Sequence, residues 1–442
     1  MKECNVNNLF TLDGRVPISK AIPFGLQHIL AMFVANLAPI TIIGAASGLK
    51  PEQVAMLLQN AMFIAGIATL IQLFPVWRIG AGLPIVMGVS FTFVTILSYV
   101  GSTYGYPTAI GAIMIGGLLE GILGLLARYW RKIVTPIVAA SVVTAIGFSL
   151  LPVGTRSFGG GYGESFGSAE NLILGTVTLA ACLLFHIFAH SYWKQLSVLF
   201  GLITGYILAC FMGKVDLAAI FSGGWISFPK ILPFLPEFHI GAVVAVSIIF
   251  MVSAAETIGD STAMAASGLG RGIKEKEIAG AVSCDGFGSI LSAALGCPPV
   301  TSFSQNVGLI AMTRVVNRFT IGIGASFMIL AGLFPPIANF FSSLPESVLG
   351  GCTIMMFGNI MVSGIQMISR AGFDQRNVTI VALSLAVGLG FTSATEIQIW
   401  NIFPQIVRDI FSGNCVAVVF IVSVLLSILL PKTMDIHQED NK

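Results

Sequence analysis

The sequence predicts an all-α polytopic membrane protein, and three observations carry that prediction. The 442 residues are 55% hydrophobic and only 10% charged, with a mean hydropathy of +0.91; an ordinary soluble domain carries about 25% charged residues. Apolar runs long enough to cross a bilayer recur from end to end, among them IPFGLQHILAMFVANLAPITIIGAA, NLILGTVTLAACLLFHIFA and VAVVFIVSVLLSILL. None of these runs alternates apolar with polar residues, as the short strands of a membrane β-barrel do.

In chain order, hydropathy divides the sequence into fourteen spans: 20–48, 51–73, 82–98, 106–127, 133–152, 169–190, 196–212, 238–261, 277–293, 302–316, 319–341, 346–366, 377–393 and 412–430. Their boundaries are good to about 4 residues. The first residues, MKECNVNNLFTLDGRVPISK, are polar and carry no apolar core or cleavage site. They read as a cytoplasmic tail of a multi-pass protein of the cell (inner) membrane. With both termini inside, the inner loops and tails hold 17 of the 22 basic residues, including Arg128, Arg131, Lys132, Arg271, Arg314 and Arg370. Lys50, Arg156, Lys214, Lys230 and Arg408 remain outside. That asymmetry satisfies the positive-inside rule for an even number of spans, twelve as well as fourteen.

The third and tenth spans are the least regular, and they resemble each other. A shift of 214 residues aligns GLPIVMGVSFTF, from Gly82, with GCPPVTSFSQNV, from Gly296. It matches Gly82 with Gly296, Pro84 with Pro298, Val86 with Val300 and Ser90 with Ser304. Seven spans per half would start the second half on the opposite side, so the repeats would be inverted. Paired spans broken by Gly and Pro in corresponding halves point to a transporter binding site. Pro298 and Pro299 stop the backbone from running through as one helix. Irregular backbone at membrane depth is tolerated where it is buried in protein or lines a polar cavity. Ser304, Gln305 and Asn306 would then stand at a helix start facing that cavity.

The eighth span, VVAVSIIFMVSAAETIGDSTAMA, places Glu256 and Asp260 four residues apart on one helix face. Two carboxylates held close in a low-dielectric setting repel, which favours keeping a proton on one of them. Acids inside a membrane span mark ion or proton pathways, although Asp260 also reads as a solvated residue near the inner end. Asp285 reads as the opening of the ninth span, either a helix-start acid favoured by the helix dipole or a polar partner of the tenth. His28 is the lone histidine of the first span, where a hydrogen-bonded core residue is the commoner fate. Glu120 stands isolated, with no role assigned. His186 and His190 read as residues of the inner membrane face. Gly350 and Gly351 read as a close helix contact at a sliding interface.

The seven cysteines (Cys4, Cys182, Cys210, Cys284, Cys297, Cys352 and Cys415) are scattered and never spaced C-x-x-C. They read as small packing residues rather than a disulfide framework or a metal site. No cofactor is expected. The chain lacks the G-x-x-x-x-G-K-[ST] phosphate loop, H-E-x-x-H and the G-x-S-x-G elbow, so neither ATP hydrolysis nor another enzymatic activity is expected. A net charge of +2 is too small to imply nucleic acid as a partner.

At SQNVGLIAMTR the sequence resembles the nucleobase–ascorbate transporter family, also called the second nucleobase–cation symporter family. The family signature [Q/N/E]-N-x-G-x-x-x-x-T-[R/K/G] is met by Gln305, Asn306, Gly308, Thr313 and Arg314. Gln27–His28, Gly88–Phe93, Glu256–Asp260 and Asp285–Ser289 join it in the family's order. The resemblance implies two inverted seven-span repeats, with short strands in the broken third and tenth spans. It implies a core domain at 20–130 and 237–343 and a gate domain at 131–236 and 344–431, between cytoplasmic tails at 1–19 and 432–442. It implies substrate contacts from Glu256, Gln305, Ser304, Phe91 and the backbone at Ser90. Asp260, Asp285, Asn306 and His28 would support the site or couple protons.

The implied activity is proton-coupled uptake of a purine dione by a homodimer. Gln305, Val307 and Arg314 resemble urate- and xanthine-type members, urate slightly ahead, with a uracil–proton symporter third. An anion transporter with the same seven-plus-seven fold is the competing reading. Such a site should set a cation at the helix ends and avoid a buried acid.

Overall fold

Helix-start chemistry is written locally, and the apolar runs do the rest. In the computed structural model, residues 5–130, 134–161, 165–215, 217–221, 224–393 and 399–431 are described. The first half holds α1 (Ile18–Ala46), α2 (Pro51–Leu73), β1 (Met87–Val89), α3 (Val94–Tyr104), α4 (Tyr106–Leu125), α5 (Ala127–Trp130), α6 (Pro136–Phe158), α7 (Ala169–Phe188), α8 (Ser197–Phe211) and α9 (Leu217–Ile220). The second holds α10 (Ile240–Leu269), α11 (Glu275–Ala294), β2 (Val300–Ser302), α12 (Ser304–Thr313), α13 (Arg318–Gly332), α14 (Pro335–Ser342), α15 (Glu346–Ala371), α16 (Gln375–Ser393), α17 (Gln405–Phe411) and α18 (Cys415–Leu429). The side chain of Gln53 accepts from the Lys50 amide at 2.9 Å to start α2. Glu277 does the same for Lys274 at 2.8 Å before α11, satisfying donors that an uncapped helix leaves open.

Each of the fourteen hydropathy segments contains some helical structure, but 82–98 is mostly non-helical, holding β1 and only the first five residues of α3. Among the described residues, eight helices are long and apolar enough to cross a membrane, and α13 with α14, bent by 76°, makes a ninth. The remaining segments are shorter because strands, breaks or short helices occupy part of the depth. Residues 1–4 of the expected tail at 1–19, the whole expected tail at 432–442, and the loop residues Arg131 and Lys132 lie outside the described residues, with Lys2, Lys432 and Lys442.

Two expectations are corrected here. The eighth span does not end at 261: α10 runs on to Leu269, through small and apolar residues, and stops at Gly270 with φ of 64°, the left-handed cap that glycine adopts without strain. Asp285 does not open the ninth span. The Lys274–Glu277 cap starts α11 at Glu275, which leaves Asp285 near the middle of the helix and fully buried.

The two broken segments meet as an antiparallel pair, Met87 opposite Ser302, Gly88 opposite Thr301 and Val89 opposite Val300. The pairing is extended by Ser90 N–H to Pro299 O at 2.9 Å and Phe303 N–H to Val86 O at 3.0 Å. These two bonds join the aligned repeats in a near-symmetric way. Side chains hold the strands from outside: Asn36 accepts from the Val89 amide at 2.7 Å and Thr69 from the Met87 amide at 2.9 Å.

The helices pack in two groups. Helices α2, α4, α10, α11 and α13 pack closely together, with α1 along α13. Helices α6, α7, α8, α15, α16 and α18 form the other group, and the groups meet where α10 lies along α6 and α18 and where α1 crosses α8 and α15. Gly350 and Gly351 lie inside the second group, not between groups. A methyl on Gly351 would stand 2.6 Å from the Gly175 carbonyl oxygen on α7, and one on Gly350 would strike Phe158 on α6. The close contact is real, but it ties α15 to its own neighbours.

Candidate functional site

The site is built where the strand pair ends. Residues leaving β1 and β2 start α3 and α12, so two chain breaks deliver Ser90, Phe91, Ser304 and Gln305 to one place. A cavity of about 290 Å³ is lined there by Ser90, Phe91, Thr92, Glu256, residues 301–305 and Gly308 on one side. Val143 and Ile146 of α6, His186 of α7, and Asn359, Ser363 and Gln366 of α15 line the other. Phe91 packs edge-on against Phe357 of α15, ring centres 5.4 Å apart, which fixes one apolar wall.

Glu256 faces the cavity and accepts a hydrogen bond from Thr92 Oγ1 at 2.6 Å. One turn on, Asp260 turns toward the strand end. It accepts from Ser302 Oγ at 2.9 Å and from Ser304 Oγ at 2.9 Å on each carboxyl oxygen. Asp260 is buried, which excludes the solvated reading. Asp285 lies deeper, where Thr301 Oγ1 donates at 2.8 Å and Thr257 Oγ1 donates to the same oxygen. Hydroxyls from the strand end and from Thr257 thus reach both oxygens of Asp260 on α10 and one oxygen of Asp285 on α11, whose Oδ1 has no hydrogen-bond partner among the described residues. Acids inside a membrane are costly unless paired or hydrogen-bonded in this way.

Of the sequence-predicted residues, Glu256, Gln305, Ser90, Phe91 and Ser304 line the one cavity, and Asp260, Asp285, Asn306 and His28 stand behind it. Asn306 donates from Nδ2 to the backbone carbonyl of His28 at 3.0 Å, tying α12 to α1. The His28 imidazole is buried, and neither ring nitrogen has a hydrogen-bond partner among the described residues. Its backbone, rather than its ring, carries the contact. Glu120 is buried on α4 and does not line the cavity.

Sequence reasoning missed the opposite wall. His186 belongs to the cavity as well as to a smaller one beside Gln305, and Asn359 lines both. The signal was available, since Asn359, Ser363 and Gln366 are polar interruptions of an apolar span at helical spacing. Which groove they face depends on how α15 packs. Thr92, Thr301 and Ser302 lay inside the patches singled out, yet nothing local shows which acid each one reaches. Among the described residues, no cluster of three or more His, Cys, Asp or Glu is placed to hold a metal ion.

A Permease family model, Xan_ur_permease, matches residues 19–397. The chain is 36% identical over 376 residues to the uric acid permease PucK of Bacillus subtilis (strain 168), covering 84% of this chain and 86% of that protein. It is 35% identical over 386 residues to the xanthine permease of the same bacterium, covering 86% and 87%. Among solved structures, the transmembrane domain of the cyanobacterium bicarbonate transporter BicA superposes with a TM-score of 0.58 at 15% identity, covering 97% of this chain and 99% of that one. That likeness shows the fold, the inverted-repeat architecture of these transporters. The matched model and the relatives' identity over most of their length lead to one conclusion: the chain belongs to the Permease family, the nucleobase–ascorbate transporters, whose members are permeases and not enzymes.

Proposed function

We propose that this chain takes up a purine dione, urate or xanthine, across the cell membrane in symport with protons, by alternating access. The observation that carries the reading is the shared wall of Glu256 and Gln305 beside the two broken segments. A carboxyl and a primary amide on one face offer the donors and acceptors that the polar edge of such a base presents. A cavity of about 290 Å³ lies near the lower end of ligand sites and suits a one- or two-ring molecule. The names of the relatives, uric acid permease and xanthine permease, support a purine. Glu256, Gln305, Ser304, Phe91 and the Ser90 backbone would hold the base. Asp260, Asp285, Asn306 and His28 would support them, and the carboxyls are the groups able to take up and release a proton.

The two packing groups support a division into a core at 20–130 and 237–343 and a gate at 131–236 and 344–431. Because each group contributes one wall of the cavity, sliding one past the other would expose the site to alternate faces. We place both termini in the cytoplasm and the protein in the inner membrane as a homodimer, the last testable by light scattering of the purified protein. The buried acids argue against a carrier of small inorganic anions such as sulfate or bicarbonate, which needs a cation or free helix N-termini in that position.

Radiolabelled uptake by cells lacking their own nucleobase carriers tests the reading. Xanthine or urate should accumulate, and accumulation should collapse with a protonophore and weaken at alkaline outside pH. Accumulation of uracil alone would refute the purine assignment, and uptake that follows sodium and ignores the protonophore would refute proton coupling.

A further inference from the structure

Two cavities lie end to end along α6, α10 and α15. The site cavity takes Val143, Glu256 and Gln366 from these helices, and a second cavity of about 960 Å³ takes Ala139, Gly259 and Met367. The second cavity reaches the face that carries the start and end of the described chain. Arg376 on its rim donates to the carbonyl of Ser427, near the end of α18, at 2.6 Å. Ser267, also on the rim, accepts from Arg314 at 2.8 Å, and Val316 just beyond bonds to Leu9 of the N-terminal segment.

In the second cavity, next along each helix to Val143, Glu256 and Gln366 of the site cavity, the three helices converge on one flexible side chain, that of Met367. A methyl added at Gly259 would lie 3.2 Å from Met367 Cε and 4.0 Å from Ala139 Cβ. Met367 is half-buried and packs against both the main apolar cluster and a smaller one containing Ile137 and Ile368. A base passing from Glu256 into the second cavity along the seam of α6, α10 and α15 would pass this thioether. Methionine is unbranched and changes rotamer readily, whereas the flanking Gly259 and Ala139 have no side chain that can swing. We propose that Met367, seated on Gly259, is the barrier between the binding cavity and the second cavity, and that its displacement limits release of the bound base. The proposal rests on the transport reading given above.

Its test separates binding from turnover in purified, reconstituted protein. Met367→Phe should lower turnover about tenfold or more while xanthine or urate binding, read by calorimetry, stays within about twofold of wild type. Met367→Ala should raise turnover about twofold or more and admit purines with a bulkier ring substituent. A merely structural methionine would instead shift both variants downward, with lowered thermal stability. Turnover of Met367→Phe equal to wild type, or both variants moving in the same direction, overturns the barrier. If Met367→Phe does not fold, the direction of Met367→Ala decides alone. A wild-type protein that binds and carries no purine fails the transport reading itself, before any variant is compared.

Discussion

At the residue scale, the acids are distinguished by what reaches them. Asp260 and Asp285 each accept from more than one hydroxyl, but Glu256 takes one bond from Thr92 and keeps the rest of its capacity for the cavity. Thr92→Val keeps the shape and leaves that oxygen short of a donor, so base affinity should fall by about 1–3 kcal/mol, roughly one to two orders of magnitude. Measured affinity unchanged by Thr92→Val would remove Thr92 from the site. Gln305→Glu also keeps shape, but it removes a donor and adds charge on the wall that Glu256 shares. Purine dione uptake should be lost to a similar degree, with weak uracil recognition gained. Near-native xanthine or urate uptake by this variant would reduce Gln305 to a helix-start residue.

At the element scale, residues 5–17 are more than a tail. They fold back over the connection from α12 to α13, the stretch that follows Gln305 and Asn306. Asn317 is fully buried, caps α13 through the Thr320 amide at 2.9 Å, and donates to the carbonyls of Thr11 and Gly14 at 3.3 and 3.0 Å. Asp13 pairs with Arg318 at the same place, but its side chain is half-exposed. A buried cap and a surface pair differ in worth. Asn317→Ala should cost about 1–2 kcal/mol of stability, and Asp13→Ala less than about 1 kcal/mol. Thermal melts of the two variants in detergent check the order. A larger loss from Asp13→Ala would mean that the ion pair, and not the asparagine, fastens the segment.

For the whole molecule, the two packing groups decide which changes harm folding and which harm movement. Gly351 packs α15 onto α7 within one group, with backbone 2.6 Å from where a side chain would begin. Gly351→Leu therefore overpacks an interior contact, where forced backbone shifts cost about 1–3 kcal/mol or more. Its expected signature is reduced yield and melting temperature together with reduced transport. A stable Gly351→Leu protein with slowed turnover would instead place this contact at the moving surface. Membrane insertion supplies the overall energy, so losses of this size show first in helix packing rather than in spanning.

The class of the protein, the order of its helical segments and the paired breaks at Gly82 and Gly296 were legible in the sequence. Hydropathy and proline chemistry act over a few residues, and those are the scales that a linear reading samples. Family membership was legible in Gln305, Asn306 and their spacing. Where segments are shared out across depth was not: α10 extends past its expected end to a glycine cap, and Asp285 lies mid-helix rather than at a helix start because the cap at Lys274 claimed that role. The far wall of the cavity, with His186, Asn359 and Gln366, and the seat of Met367 on Gly259 depend on how α7, α10 and α15 rotate against each other. In a membrane the hydrophobic effect sets that a helix spans but not which face meets its neighbour. Only close packing and hydrogen bonding between distant segments decide that, and those contacts exist only in the folded molecule.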